Sequence, residues 1–197
     1  MPKVVPEYKE QARKRIIIEA LKVFSEKGYY RTKMKDIADN LGVSKAAIYQ
    51  YFKTKEELLI ATFDYRIQQR QEALLPILVP DIEIIASDEF FEKIYARVTD
   101  SPRFSYDFIH EAAYNDAFRE KLKAHFEQSV NRFKEFFEEQ KKRGIIRKDV
   151  DVESLASSFL ALRDGLNSLV FYGLDKSKIK KAWTDTMGLI IKDILAR

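Results

Sequence analysis

Apolar residues recur with the period of an α-helix along most of the chain, and no stretch alternates for long like a half-buried strand. The first predicted helix runs from Tyr8 to Lys27, and its apolar stripe consists of Ile17, Ala20, Leu21 and Phe24. Further helices are predicted from about residue 32, 45 and 54, and then over 88–99, 104–113, 116–143, 152–172 and from 177 onwards. The pattern therefore predicts an all-α protein.

Residues that favour helix ends divide the chain into these segments. Helix starts are predicted at Thr32, Ser44, Thr54, Asp151 and Ser177. Helix ends are predicted at Gly28, Gly42, Pro76, Pro80, Gly144 and Gly173, with a loop from the prolines to Ser87. We expect a three-helix head over residues 1–53 and a larger helical body over residues 54–197.

The segment from Thr32 to Phe52 has the pattern of two short helices that cross steeply. Ala38 is small where the axes approach, and Gly42 tolerates the positive φ that the turn needs. An apolar triangle of Ile37, Val43 and Ile48 is predicted to fix the angle. This is the pattern of a helix-turn-helix, whose second helix lies in the DNA major groove, although a plain helical hairpin remains the alternative.

Positive charge is concentrated in the first third of the chain. Residues 1–60 hold 13 Lys and Arg against 8 Asp and Glu, a net charge of +5, whereas the other 137 residues have a net charge of −1. A basic segment is typical of proteins that bind an acidic polymer, although it is also found on solvated faces. The absence of cysteine excludes disulfides and thiolate metal sites, and no apolar run reaches the length of a membrane span. We therefore expect a cytoplasmic protein without membrane association.

The third predicted helix leaves several side chains outside the apolar triangle. Lys45 and Gln50 can hydrogen-bond base edges, the small Ala46 and Ala47 allow approach to a thymine methyl, and Tyr49 can donate to a phosphate. The whole predicted DNA-binding set is Thr32, Lys33, Lys35, Ser44, Lys45, Ala46, Ala47, Tyr49, Gln50, Tyr51, Lys53 and Lys55.

Two stretches resemble the N-terminal signature of the TetR (tetracycline repressor) family. They are Ala-Leu-Lys-Val-Phe-Ser-Glu-Lys-Gly-Tyr at 20–29 and Ser-Lys-Ala-Ala-Ile-Tyr-Gln-Tyr-Phe-Lys-Thr-Lys-Glu-Glu-Leu at 44–58. The resemblance implies a homodimeric repressor that binds a palindromic double-stranded DNA operator and is released by a small molecule. Ala46 and Gln50 depart from the residues usual in the family, which is expected to alter which bases are read.

Long aromatic residues cluster on the middle predicted helices, where a plain core is the alternative to a cavity wall. The resemblance favours an apolar, aromatic-lined pocket for a small hydrophobic or amphipathic ligand, with a fatty acid or acyl-coenzyme A as the leading candidate. Arg97, Arg103 and Arg119 are candidates for its mouth. The predicted ligand-binding residues are Phe63, Ile67, Arg103, Phe104, Phe108, Tyr114, Phe126, Val130, Phe133 and Gly165.

The last two predicted helices have apolar faces too wide for one neighbour. A homodimeric four-helix bundle would bury both faces, and the alternative is an intramolecular core. The resemblance favours the dimer. The predicted interface residues are Leu155, Phe159, Leu162, Leu166, Trp183, Met187, Ile190 and Ile194.

Catalytic and metal-binding motifs are not evident in the sequence. The stretch from His110 to Tyr114 begins like a zinc-protease helix but has Tyr114 where the second His would stand. We therefore predict neither an enzyme nor a protein with a metal or cofactor. A TetR-like DNA-bound adaptor, whose body binds a protein partner in place of an inducer, is the second hypothesis.

Overall fold

The computed structural model describes the backbone of residues 6–74, 82–99 and 102–196, and the side chains of residues 8–69, 82–96, 104–166 and 168–196. Its α-helices are α1 (Pro6–Lys27), α2 (Met34–Leu41), α3 (Lys45–Tyr49), α4 (Lys55–Leu74), α5 (Asp88–Thr99), α6 (Pro102–Tyr114), α7 (Asp116–Lys142), α8 (Val152–Phe171) and α9 (Lys176–Ile194). A 3₁₀ helix, Ile82–Ala86, precedes α5.

The protein is all-α, as predicted. The described residues are 82% helical, and the extended pairing found among them is an isolated bridge between Ile146 and Leu195. The predicted loop before Ser87 is wrong in part, because Ile82 and Ile85 are buried and form the 3₁₀ helix. The predicted helix stops at Pro76 and Pro80 lie outside the described residues.

Polar caps fix where most of the helices begin. Ser44 Oγ accepts a hydrogen bond from Ala47 N at 3.1 Å, and Asp151 Oδ1 accepts one from Glu153 N at the same distance, as predicted. Two predicted caps are wrong by one or two residues. The N-cap of α2 is Lys33 and not Thr32, and that of α9 is Asp175, which accepts a bond from the Ser177 amide.

The chain forms two compact units. Unit 1 comprises residues 1–71 and 103–118, and unit 2 comprises residues 72–102 and 119–197. From its second residue onwards, helix α6 therefore belongs to the same unit as the helix-turn-helix segment. The chain crosses between the units within α4, at the start of α6 and within α7. The predicted functional division at residues 53 and 54 stays a prediction.

The apolar stripe of α1 provides much of the core of unit 1. Ala20 and Phe24 have no exposed surface, and Ile17 is 6% exposed. The facing side chains of α2, α3 and α4 are equally inaccessible, including Ile37, Ile48, Phe52, Leu58 and Leu59. Burying five such side chains stabilises a small helical unit by about 2 kcal/mol each, which exceeds any single polar contact in it.

Aromatic rings form the centre of the core of unit 2. Phe159 of α8 lies 4.5 Å from Phe133 of α7 and 5.7 Å from Trp183 of α9, measured between ring centroids. The indole nitrogen of Trp183 donates to the carbonyl of Ile85 at 3.0 Å, which ties the 3₁₀ helix to α9.

Gly42 provides a direct test of the turn between α2 and α3. Its φ of +66° is in the left-handed region, although a Cβ there would meet no atom within 4 Å. We expect Gly42→Ala to lower the free energy of unfolding by about 1 kcal/mol, measured by urea denaturation, because only the backbone conformation is strained.

Gly188 of α9 is the matched control, since it has equal space for a Cβ but ordinary helical geometry. Gly188→Ala is expected to raise the stability by up to about 1 kcal/mol. An equal response of the two variants would contradict the role given to the turn.

Candidate functional site

The crossing of α2 and α3 is held by the small and apolar residues that the sequence indicated, with one exception. Ile37, Ala38 and Ile48 are at most 1% exposed, and the amides of Gly42 and Val43 close the turn by donating to Asp39 and Ala38 carbonyls at 3.1 and 3.0 Å. The Val43 side chain is 42% exposed, so its predicted place in the apolar triangle is wrong. The crossing of the two helices is therefore packed by Ile37, Ala38 and Ile48.

Helix α3 presents a polar face because its inward residues are fixed. Ile48 of α3 and Phe52, which lies just beyond the end of α3, have no exposed surface, whereas four side chains around them are exposed: Lys45, Ala46, Tyr49 and Gln50. The ammonium of Lys45 lies 5.4 Å from the centroid of the Tyr49 ring, an attraction that orders both side chains before any ligand arrives. Ala47 is half-buried beside them.

The start of α2 brings cations to the same part of unit 1. Lys33 and Lys35 are exposed, and the Asp36 carboxylate accepts a bond from Lys33 N at 2.8 Å and pairs with Lys27 at 3.1 Å. The Lys33 amide, and then Lys27, hold the pKa of Asp36 below its usual value. The carboxylate therefore stays ionised and compensates the positive charge of Lys27.

Three of the predicted DNA-binding side chains instead hold the backbone in place. Thr32 is buried and donates to the Gly28 carbonyl at 2.8 Å, and Ser44 caps α3. The Lys55 ammonium donates to the carbonyls of Tyr29 and Thr32 at 3.0 and 3.2 Å and lies 4.1 Å from the Tyr29 ring centroid. Lys55 therefore joins the start of α4 to the turn between α1 and α2. Lys53 remains exposed, and Tyr51 is half-buried.

Helix α6 contacts the same turn, which the sequence did not indicate. The Asp107 carboxylate accepts a bond from the Tyr29 amide at 2.7 Å. The hydroxyl of Tyr30 lies 2.6 Å from His110 Nδ1 and also donates to Glu111. Partial burial, and then the bond to Glu111, raise the pKa of the Tyr30 hydroxyl, which therefore keeps its proton.

The predicted ligand-binding residues of unit 1 form an aromatic cluster, which we define as Phe63, Phe104 and Phe108. All three are at most 8% exposed, and the Phe63 and Phe108 rings stack with centroids 3.9 Å apart. The guanidinium of Arg66, itself buried, lies 5.4 Å from the centroid of Phe104. Ile67 is half-buried and Tyr114 is 81% exposed, whereas the Arg97 and Arg103 side chains lie outside the described residues.

The predicted ligand-binding residues of unit 2 differ in how far they are buried. Phe133 packs on Phe159 in the core, Val130 is half-buried and Phe126 is 39% exposed. Gly165 is exposed, and a Cβ there would meet no atom within 4 Å, so open space and not a close approach surrounds it, and its place in a ligand site stays a prediction.

Most of the predicted dimer-interface residues are buried within the protomer. Five of them are at most 6% exposed: Phe159, Leu166, Trp183, Met187 and Ile194. Their burial agrees with the alternative of an intramolecular core. Leu155 and Ile190 are half-buried, Leu162 is 39% exposed, and Leu189, which the sequence reading did not single out, is 72% exposed. The apolar surface of α8 and α9 is therefore narrower than predicted.

The described part of the chain has no helix that is long and apolar enough to cross a membrane. It also contains no group of three or more His, Asp or Glu side chains placed to hold a metal ion.

The comparisons with known proteins agree with this geometry. A family model described as bacterial regulatory proteins, tetR family, matches residues 16–62, which include α2 and α3. The HTH-type transcriptional regulator YfiR of Bacillus subtilis (strain 168) is 23% identical over 199 residues, 98% of this chain and 97% of that protein. The Fatty acid metabolism regulator protein of the same organism is 41% identical over 54 residues, 27% of this chain and 28% of that protein.

The fold is shared with solved structures over nearly the whole chain. The TetR-family transcriptional regulator from Cytophaga hutchinsonii superposes with a TM-score of 0.80 at 20% identity, covering 99% of this chain and 100% of that one. Residues 16–62 match the DNA-binding segment of TetR-family bacterial transcriptional regulators, and the chain is similar to members of that family in sequence and fold over nearly its whole length.

Proposed function

We propose that the protein is a homodimeric repressor, which binds a palindromic operator through α3 and is released by an apolar or amphipathic small molecule. The observation that carries the DNA-binding part is the division of α3 into a buried side, Ile48, and an exposed polar side with Lys45, Tyr49 and Gln50. A short helix anchored in this way is suited to enter the major groove, where it can read base edges.

The exposed residues divide into two chemical roles. Lys45 and Gln50 can reach acceptors and donors on base edges, while Ala46 and Ala47 leave room for a thymine methyl. Lys33, Lys35, Lys53, Tyr49 and Tyr51 are proposed to contact phosphates. Thr32, Ser44 and Lys55 support these contacts indirectly, because their side-chain polar groups already bind the protein backbone.

The aromatic cluster of Phe63, Phe104 and Phe108 is the proposed contact surface for the ligand. Its faces are apolar, and the buried guanidinium of Arg66 lies over one ring, a combination that suits an acyl chain with an anionic group. The fatty acid regulator of Bacillus subtilis is compatible with this choice, but its similarity to this chain is confined to 54 residues. A fatty acid or acyl-coenzyme A therefore remains the leading candidate by chemistry.

Helix α6 provides a route from this cluster to the DNA-binding surface. One side of α6 carries Phe104 and Phe108, and another carries Asp107, His110 and Glu111, which bind the turn between α1 and α2. A ligand that displaces Phe108 would shift α6 and with it the turn that leads into α2. We propose that ligand binding reaches α2 by this route.

The homodimer is proposed from the exposed apolar residues of α8 and α9, Leu162 and Leu189, with Leu155 and Ile190 at their margin. Two heads on one dimer must lie about 34–36 Å apart, or a whole further turn, to enter successive major grooves. In this proposal residues 1–53 bind DNA, and residues 54–197 bind the ligand and form the dimer.

The assignment of Gln50 to base recognition gives the first test. We expect Gln50→Ala to cost about 1–3 kcal/mol at one base pair of each half-site and to leave the other positions unchanged. The measurement is selection of bound sequences from a random duplex library. Gln11→Ala, which removes an exposed amide from α1, is the matched control. The same consensus from the Gln50 variant and the unsubstituted protein would contradict the assignment.

Ligand release gives the second test. A fatty acid or acyl-coenzyme A is expected to lower operator affinity by about 5–150-fold, and operator DNA should lower ligand affinity by the same factor, because such coupling is reciprocal. Fluorescence anisotropy for DNA and calorimetry for the ligand measure the two factors. Tyr30→Phe, which removes the hydroxyl that binds His110 and Glu111, should reduce both factors while each separate affinity is kept.

Tyr172→Phe, a change at an exposed tyrosine of unit 2, is the control and should leave the coupling unchanged. Undiminished coupling in the Tyr30 variant would contradict the proposed route through α6. A body that binds none of these ligands but retains a macromolecular partner through purification would favour the adaptor hypothesis.

A further inference from the structure

The face of α1 that packs in the core of unit 1 extends towards the N-terminal end of the helix, past the last buried apolar residue. Phe24, Ala20 and Ile17 are buried against the rest of unit 1, and four residues before Ile17 the same face of the helix carries Arg13. Arg13 is exposed, so the stripe changes there from apolar packing to a cation at the edge of the helix-turn-helix segment.

The Arg13 guanidinium is held in place by an aromatic ring. Its central carbon lies 4.9 Å from the centroid of Phe52. Phe52 has no exposed surface, and its amide donates to the Ile48 carbonyl of α3 at 3.0 Å. Arg13 therefore lies beside Phe52, in the segment that joins α3 to α4, and Phe52 directly precedes the exposed Lys53 in the sequence.

Stacking leaves the binding edge of the guanidinium available. The flat face of an Arg side chain can rest on a ring while its N–H donors, which lie in the plane, point away from it in the fork that matches a phosphate. Arg13 forms no ion pair with any residue that the structure describes; Glu10, one turn earlier on α1, is not within salt-bridge distance of it. A cation ordered in this way loses less side-chain freedom when it binds an anion.

We propose that Arg13 of α1 is a DNA phosphate contact, adjacent to the phosphate contacted by Lys53, and that Phe52 positions it. This inference rests on the proposed function, and it adds a third element of unit 1 to the DNA interface. The alternative is that Arg13 only covers the ring of Phe52. The two differ in their dependence on salt, because only a phosphate contact releases counterions from the DNA.

The experiment measures the affinity of the full-length protein for random-sequence duplex DNA at several salt concentrations. In Arg13→Gln the slope of log affinity against log salt should fall by about 0.9 for each bound head. Arg13→Lys should restore most of the slope, because the charge is kept although the planar stack is lost. Lys14→Gln removes one charge from the neighbouring exposed position of the same helix and should leave the slope unchanged.

Lys53→Gln shows separately whether the assay detects one phosphate contact. A full slope in Arg13→Gln beside a reduced slope in Lys53→Gln would overturn this inference alone. An equal fall in Arg13→Gln and Lys14→Gln would also overturn it, since net charge would then explain the effect. Absence of DNA binding by the unsubstituted protein would overturn the proposed function and this inference with it.

Discussion

The burial of Ile48 and Phe52 is the interaction on which the DNA-binding surface depends. Helix α3 has five residues, far too few to be stable alone in water. It persists because these two side chains, four positions apart, have no exposed surface within unit 1. Their burial fixes the rotation of α3, so that Lys45, Tyr49 and Gln50 are exposed together. Orientation of the recognition face is thus a consequence of core packing.

The turn between α1 and α2 is the second constraint, and it is polar. Lys55 of α4 binds its carbonyls, and Asp107 and Glu111 of α6 bind the amide of Tyr29 and the hydroxyl of Tyr30. Two helices therefore converge on a few residues that lead directly into α2. Under the proposed function, a ligand that displaces either helix would alter the position of the helix-turn-helix segment.

The sequence predicted the helices well because their periodicity and caps are local properties. The sequence analysis failed where the burial or the contacts of a side chain depend on which residues pack against it in the folded chain. Val43 fits an apolar triangle by spacing but is exposed, and Trp183 fits a dimer face by periodicity but is buried against the 3₁₀ helix. No local pattern indicates that the Lys55 ammonium binds two backbone carbonyls, and its phosphate contact stays a prediction. The contacts of α6 with Tyr29 and Tyr30 join residues about 80 positions apart, which one sequence gives no means of pairing.

The central claim is that the exposed face of α3 meets DNA. Backbone amide chemical shifts of the isotope-labelled protein, recorded during titration with duplex DNA, test it most directly. We expect the largest shifts over residues 44–53, with smaller shifts at the start of α2 and little change in α8 and α9. Shifts centred on α8 and α9, with residues 44–53 unaffected, would contradict the account.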